Sequence, residues 1–271
     1  MKRLILFAAL LMLAPSVAAG KRAPGNVPAA SAATVGTVLV GTVTEIDKDP
    51  VEVASAPGAK DTVAYTVATV KVTDAIRGLK SETHVKVGFQ PSRRGGTNLD
   101  EKQTYLFFLS KHPVGNFYVM DWMNAPLPIN EASKASVEQV KAIAKILGDP
   151  DKALEAKKPE DRALAAMVLI LHHRTPSATG VAQTTEALPL AESQAILKAY
   201  GAVDWMATPE IGGLPVLRQF YSLGLGADAG WKQPEVKPGE DGTVALQKAY
   251  AEWLAGAGAK YQIQKFVAKK N

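Results

Sequence analysis

The sequence predicts an α+β protein: a small five-stranded β-barrel (OB-like) over residues 35–127, followed by an all-α helical bundle over 131–271. Three observations predict it. Apolar residues recur with a period near two up to Trp122 and near 3.6 from Glu131 onward. Five Val-, Thr- and aromatic-rich runs precede the change, and the first is long and interrupted by Gly41. After the change, Gly148, Gly201, Gly224 and Gly256 stand where helices should stop.

Each strand has its own signal. Val35–Ile46 is rich in Val and Thr, and its alternation slips at Gly41, which predicts a bulge or bend. Asp47–Asp61, with Pro50, Pro57 and Gly58, reads as a polar loop. Thr62–Ile76 is a second long strand ended by Gly78. Thr83–Phe89 places Val85, Val87 and Phe89 on one face and His84 and Lys86 on the other. A turn region follows, and then Gln103–Leu109. Its Tyr105-Leu106-Phe107-Phe108-Leu109 has five apolar residues in a row, so both faces should be covered, one by the sheet core and one by a second layer. Phe117–Trp122 is the last expected strand.

The helices follow in order. Ser136 and Gln139 suggest a capping box before the stripe Val137, Val140, Ile143 and Leu147. Asp149-Pro150-Asp151 reads as a cap and turn. Pro159 opens a helix with acidic residues in its first turn and Arg174 in its last. Its middle, Ala163–Leu171, is apolar all round and belongs at the centre of a bundle. Leu190–Tyr200, Leu214–Leu223 and Val244–Leu254 read as three more helices, and Tyr261–Val267 fits a helical turn or a short strand.

The N-terminus carries targeting features. Lys2 and Arg3 precede an apolar run, Leu4–Leu13, that is far shorter than the roughly 20 residues of a spanning helix. Pro15 breaks the run, and Val17 and Ala19 have the spacing of a signal-peptidase site. Residues 1–19 are therefore expected to be a cleaved signal, residues 20–34 a flexible linker, and the location secreted or periplasmic, with no integral membrane span after cleavage.

That leader explains the charge. The chain has 31 basic and 26 acidic residues, a formal net charge of +5. Residues 23–271 hold 27 basic and 26 acidic residues, so the body is nearly neutral and no nucleic-acid partner is expected. The absence of Cys excludes thiol catalysis, disulfides, Cys-ligated zinc and iron–sulfur clusters.

No local catalytic motif is found: no G-x-S-x-G elbow, no S-x-x-K, no P-loop and no strand-following G-x-G-x-x-G. No cofactor or metal is expected. His172 and His173 are adjacent on a helix and diverge by about 100°, unlike a chelating i, i+4 pair. The acidic groups around Glu45–Glu52 and Asp149–Glu155 do not fit an EF-hand loop. Ligand-binding candidates are Arg93 and Arg94 in the one dense basic turn, His112 after a strand, Trp122 at a strand end, and His172.

The order VLVGTVTEI, VATVKVTDAIRGLKSETHVKV, KQTYLFFLS resembles the netrin-like or tissue-inhibitor-of-metalloproteinase-like OB barrel of exported bacterial proteins, over about Val35–Trp122. The resemblance implies a barrel that binds through its rim. The inhibitors' own mechanism, an N-terminal Cys placed on the protease zinc, does not carry over to a chain without Cys. The function expected is an exported, non-catalytic binding or scaffold protein of the cell envelope, with an envelope protein or small ligand as partner. The alternative is a secreted hydrolase or glycan-active enzyme with its site between the two parts.

Overall fold

The structure is a computed structural model that describes residues 27–90, 98–120, 125–176 and 181–269. Among the described residues the chain opens with helix α1, Pro28–Thr34. Strands β1 (Thr37–Ile46), β2 (Val51–Ala54), β3 (Thr62–Arg77), β4 (His84–Phe89), β5 (Thr104–Lys111), β6 (Tyr118–Met120) and β7 (Leu127–Pro128) follow. Then come α2 (Lys134–Gly148), α3 (Pro150–Leu154), α4 (Pro159–Arg174), β8 (Gln183–Ala187) and α5 (Leu190–Gly201). The chain continues through β9 (Glu210–Ile211), β10 (Leu214–Pro215), α6 (Val216–Leu223), α7 (Gly242–Ala255) and β11 (Gln264–Ala268).

The first seven strands form one mixed sheet in the order β1-β3-β4-β6-β5-β7, with β2 paired to β3 and β1 also paired to β5. The expected architecture is corrected on both halves. The sheet has seven strands, and β4 and β6 run parallel, so it is not a five-stranded OB-like barrel. The helical half is not all-α, because β8 pairs β11 and β9 pairs β10. The extra strands escaped the sequence for physical reasons. Strand β2 lies in the stretch read as a polar loop, where only Val51 and Val53 alternate. Two-residue strands such as β7 and β9 are too short to show any period.

Strand β1 is bent as expected. Its register against β3 shifts between Val40 and Gly41, and again on either side. At Gly41 a Cβ would come within 2.5 Å of Val70 Cγ1, so the backbones meet where only glycine fits.

The strand covered on both faces is β5. Tyr105, Phe107 and Leu109 join Leu39, Val43, Val70, Val85, Val87 and Phe89 in a core enclosed by the curled sheet. Leu106 and Phe108 point the other way, into a larger core with Val38, Val140, Ile143 and the helices. At its centre is α4, whose residues from Ala165 to Leu171 are all buried. The helical half thus packs on the sheet through the outer face of β5.

Residues 28–34 correct the expected linker. They form α1, and Ala29, Ala32 and Ala33 are buried at i, i+3 and i+4 against the core. Small side chains let the helix sit close to α2 and α4, so the alanines that resemble tether composition are core residues here. The first helix of the bundle also starts earlier than expected. Asn130 and Ser133 form the capping box, and α2 begins at Lys134.

Gly78 has φ +81° and Gly58 has φ +80°, both left-handed. A Cβ at Gly58 meets open space, whereas one at Gly78 overlaps the Gly36 carbonyl oxygen. Gly58→Ala is expected to cost about 1 kcal/mol, the left-handed penalty alone. Gly78→Ala should cost at least twice that. Urea unfolding midpoints check the difference, and equal midpoints would contradict the close approach of β3 to the start of β1.

Candidate functional site

Two of the five candidates are histidines, His112 and His172, and the structure gives each a local task. His112 is 4% exposed and follows β5. Its Nδ1 accepts the backbone N–H groups of Val114 (3.1 Å) and Gly115 (2.8 Å). Two N–H groups directed at one nitrogen require a lone pair there, so the neutral ring carries its proton on Nε2. Tyr65 and Phe117 flank the ring at 5.4 and 5.0 Å. Burial lowers its pKa. This His closes a turn.

His172 and His173 end α4. His172 Nδ1 lies 2.9 Å from the Ala33 carbonyl oxygen, which can only accept, so Nδ1 donates. Arg77 Nη1 donates to the neighbouring Ala32 oxygen at 3.0 Å. The two side chains together satisfy carbonyls at the end of α1 and hold it on α4 and β3. His173 Nε2 is buried without a hydrogen bond, 3.7 Å from Glu192 Oε1. Burial, then the charges of His172 and Lys265, push its pKa down from 6.5 to about 4. Among the described residues no three His, Asp or Glu side chains converge as a metal site would require. The remaining candidates, Arg93, Arg94 and Trp122, lie outside the described residues.

The boundary between sheet and helices carries a shallow cleft of about 430 Å³ lined by Asp74, Ile76, Lys141 and Lys145. Lys141 Nζ sits 2.9 Å from Asp74 Oδ2 and 3.6 Å from Glu138 Oε1. The Asp74 carboxylate raises the Lys141 pKa. Lys141 and Asp74 thus neutralise each other, and Lys145 makes no ion pair with a described residue.

A larger groove of about 700 Å³ opens in the helical half. The sequence offered Arg174 only as a helix-end cation, yet it lines this groove. Its Nε donates to the Ser222 oxygen (3.1 Å) and its Nη1 to the Gln264 oxygen (2.9 Å). The guanidinium also lies over the Phe266 ring, 5.8 Å from its centroid. Nη2 makes no hydrogen bond among the described residues. Gly224, left-handed at φ +64°, leaves room for that end, since a Cβ there would come within 2.8 Å of Nη2.

The other walls are equally well placed. The turn Ala227–Ala229 is held by the Trp253 indole, whose Nε1 donates to the Ala229 oxygen at 2.8 Å. Tyr261 is half-buried and donates its hydroxyl to the Leu223 oxygen at 3.3 Å. Burial raises its pKa, Arg174 opposes that and Asp228 adds to it, so both charges lie near the one hydroxyl. Gln262 donates from Nε2 to the Leu188 oxygen, and Gln264 to the Gln262 oxygen. Lys260 and Asp228 are exposed along the rim. Neither makes an ion pair within 4 Å with a described residue.

The sequence signal for this groove was the pattern Gly224-Leu-Gly226 and Gly230 near a helix end. It lacked the distant partner, Arg174, whose Nη2 lies where a Cβ at Gly224 would be crowded.

No protein-family model matches this sequence, and no curated protein matches it at a significant level.

His173 makes stability depend on pH. Its folded pKa lies below its unfolded value, so the unfolded chain takes up the proton first as pH falls. The stability from keeping it neutral is fully present above about pH 7 and is lost between about 6.5 and 4. It is worth about 2–3 kcal/mol once the ring's partial solvent contact is allowed for. Urea midpoints should be flat from pH 7 to 8 and fall toward pH 4. His173→Phe should remove the largest single part of that slope, and an unchanged slope would contradict the assignment.

Proposed function

We propose that the chain is an exported, non-catalytic binding protein of the bacterial cell envelope that holds a small polar ligand in the groove beside Arg174. The observation that carries this reading is the geometry of Arg174. Two of its donors are fixed on backbone carbonyls, and its third end faces the groove without a partner among the described residues. A cation held so firmly is ready to bind before a ligand arrives, which reduces the entropy lost on binding. The groove's size falls within the range of small-molecule sites.

The hydrolase alternative is less well supported. It asks for a His and a carboxylate within hydrogen-bond reach in one cleft. His173 and Glu192 are 3.7 Å apart, and neither lines the groove or the boundary cleft. His112 and His172 are committed to backbone groups. No helix among the described residues is long and apolar enough to cross a membrane. The export part of the reading rests on the leader sequence, and the near-neutral body gives no reason to propose nucleic acid as ligand.

Small-molecule fractions of an envelope extract, added to the purified chain, test the binding reading by thermal shift. A ligand at 100 times its Kd stabilises by about 2.7 kcal/mol, or several degrees. The rise should be lost in the double variant Asp228→Ala/Lys260→Ala. If no fraction raises Tm, or the double variant responds equally, the groove is not the site. Export is checked by the mass of the chain from the periplasmic fraction, which should begin at Gly20.

A further inference from the structure

We infer that the ligand of the Arg174 groove is a small zwitterion bearing both a carboxylate and an ammonium group, between a free amino acid and a short peptide with free termini. The inference rests on the binding reading above and adds the ligand's chemistry. Its basis is that the groove presents charges of both signs that do not cancel each other. Arg174 and Lys260 are cations along one lining, and Asp228 belongs to the same lining. Asp228 has no ion pair within 4 Å and no hydrogen bond to its carboxylate among the described residues. The boundary cleft behaves differently, since its Lys141 and Asp74 are already joined at 2.9 Å.

A purely anionic ligand would meet Arg174 favourably and Asp228 unfavourably. A purely cationic one would meet the reverse. A zwitterion satisfies both. The planar Arg174 end suits a carboxylate, and Asp228 suits an ammonium. Arg174 and Asp228 line one groove of about 700 Å³, the size of a small-molecule site, so one ligand in it meets both charges. The lining adds acceptors for an ammonium's remaining protons. Gln262 and Gln264 each donate from Nε2 to protein, and their Oε1 atoms have no partner among the described residues.

The test is calorimetric titration of the full mature chain with L-alanine, di-L-alanine and tri-L-alanine. Two blocked probes, N-acetyl-di-alanine and di-alanine amide, lack the ammonium and the carboxylate respectively. At least one free-termini compound should bind with a Kd below about 1 mM, and each blocked probe should bind about tenfold more weakly. Asp228→Asn should erase the preference for the free over the acetylated peptide. Lys260→Gln should weaken the free and acetylated peptides together. Both residues are exposed and make no hydrogen bond among the described residues, so the fold should be retained, which circular dichroism confirms. If none of the three compounds binds, or the blocked probes bind as well, the zwitterion inference is overturned. In that case an extract fraction that still raises Tm leaves the binding reading standing, whereas no response to any fraction removes both.

Discussion

The run Tyr105–Leu109 is the constraint on which the rest depends. Five consecutive apolar residues in a strand put large side chains on both faces, and neither face can be left in water. Alternate members go to different cores: Leu106 and Phe108 toward the helices, Tyr105, Phe107 and Leu109 into the curled sheet. Strand β1 pairs beside them in step, with Val38 opposite Phe108 and Leu39 opposite Phe107. A slip of one residue would exchange the two cores, so the register is fixed by burial on both sides. The helices are therefore required by the sheet, because without them the outer face of β5 would be exposed.

Helix α4 carries that requirement to the candidate site. Its middle is held on every side by the larger core, so its last turn emerges at a fixed position. His172 ties α1 there, and Arg174 ties the end of α6 to β11 through Ser222 and Gln264. Successive polar residues at one helix end thus join elements far apart in the chain. The cost falls on His173, which points inward, meets no hydrogen-bond partner and stays neutral. Precision at Arg174 comes from this crowding: a side chain with two fixed donors has little freedom left for the third.

Much of the secondary structure was legible because strong periodicity leaves a mark. Strands β1, β3, β4 and β5, the bend at Gly41 and the apolar helix α4 all follow from local pattern. What was not legible depended on partners. Helix α1 is buried by the neighbours of its alanines, and the same composition without those neighbours is a tether. Strand β8 is mostly exposed and exists because β11 pairs with it, so its Thr and Gln residues show no apolar pattern. The candidate site failed to show for the same reason. Arg174 looks like an ordinary helix-end cation until Ser222 and Gln264, 48 and 90 residues away, receive it.

The charge of the chain acquires a different meaning beside that site. A net excess of basic residues concentrated before residue 23 leaves the rest of the chain with a net charge of only +1. What differs between the two cavities is then local, in the charges that are not already neutralised. At the boundary cleft Lys141 has spent its charge on Asp74 and Glu138. In the groove Arg174 has committed Nε and Nη1 but neither Nη2 nor its charge, because backbone carbonyls orient a guanidinium without cancelling it. That difference, and not the size of either cavity, is what separates the groove from the sheet–helix boundary.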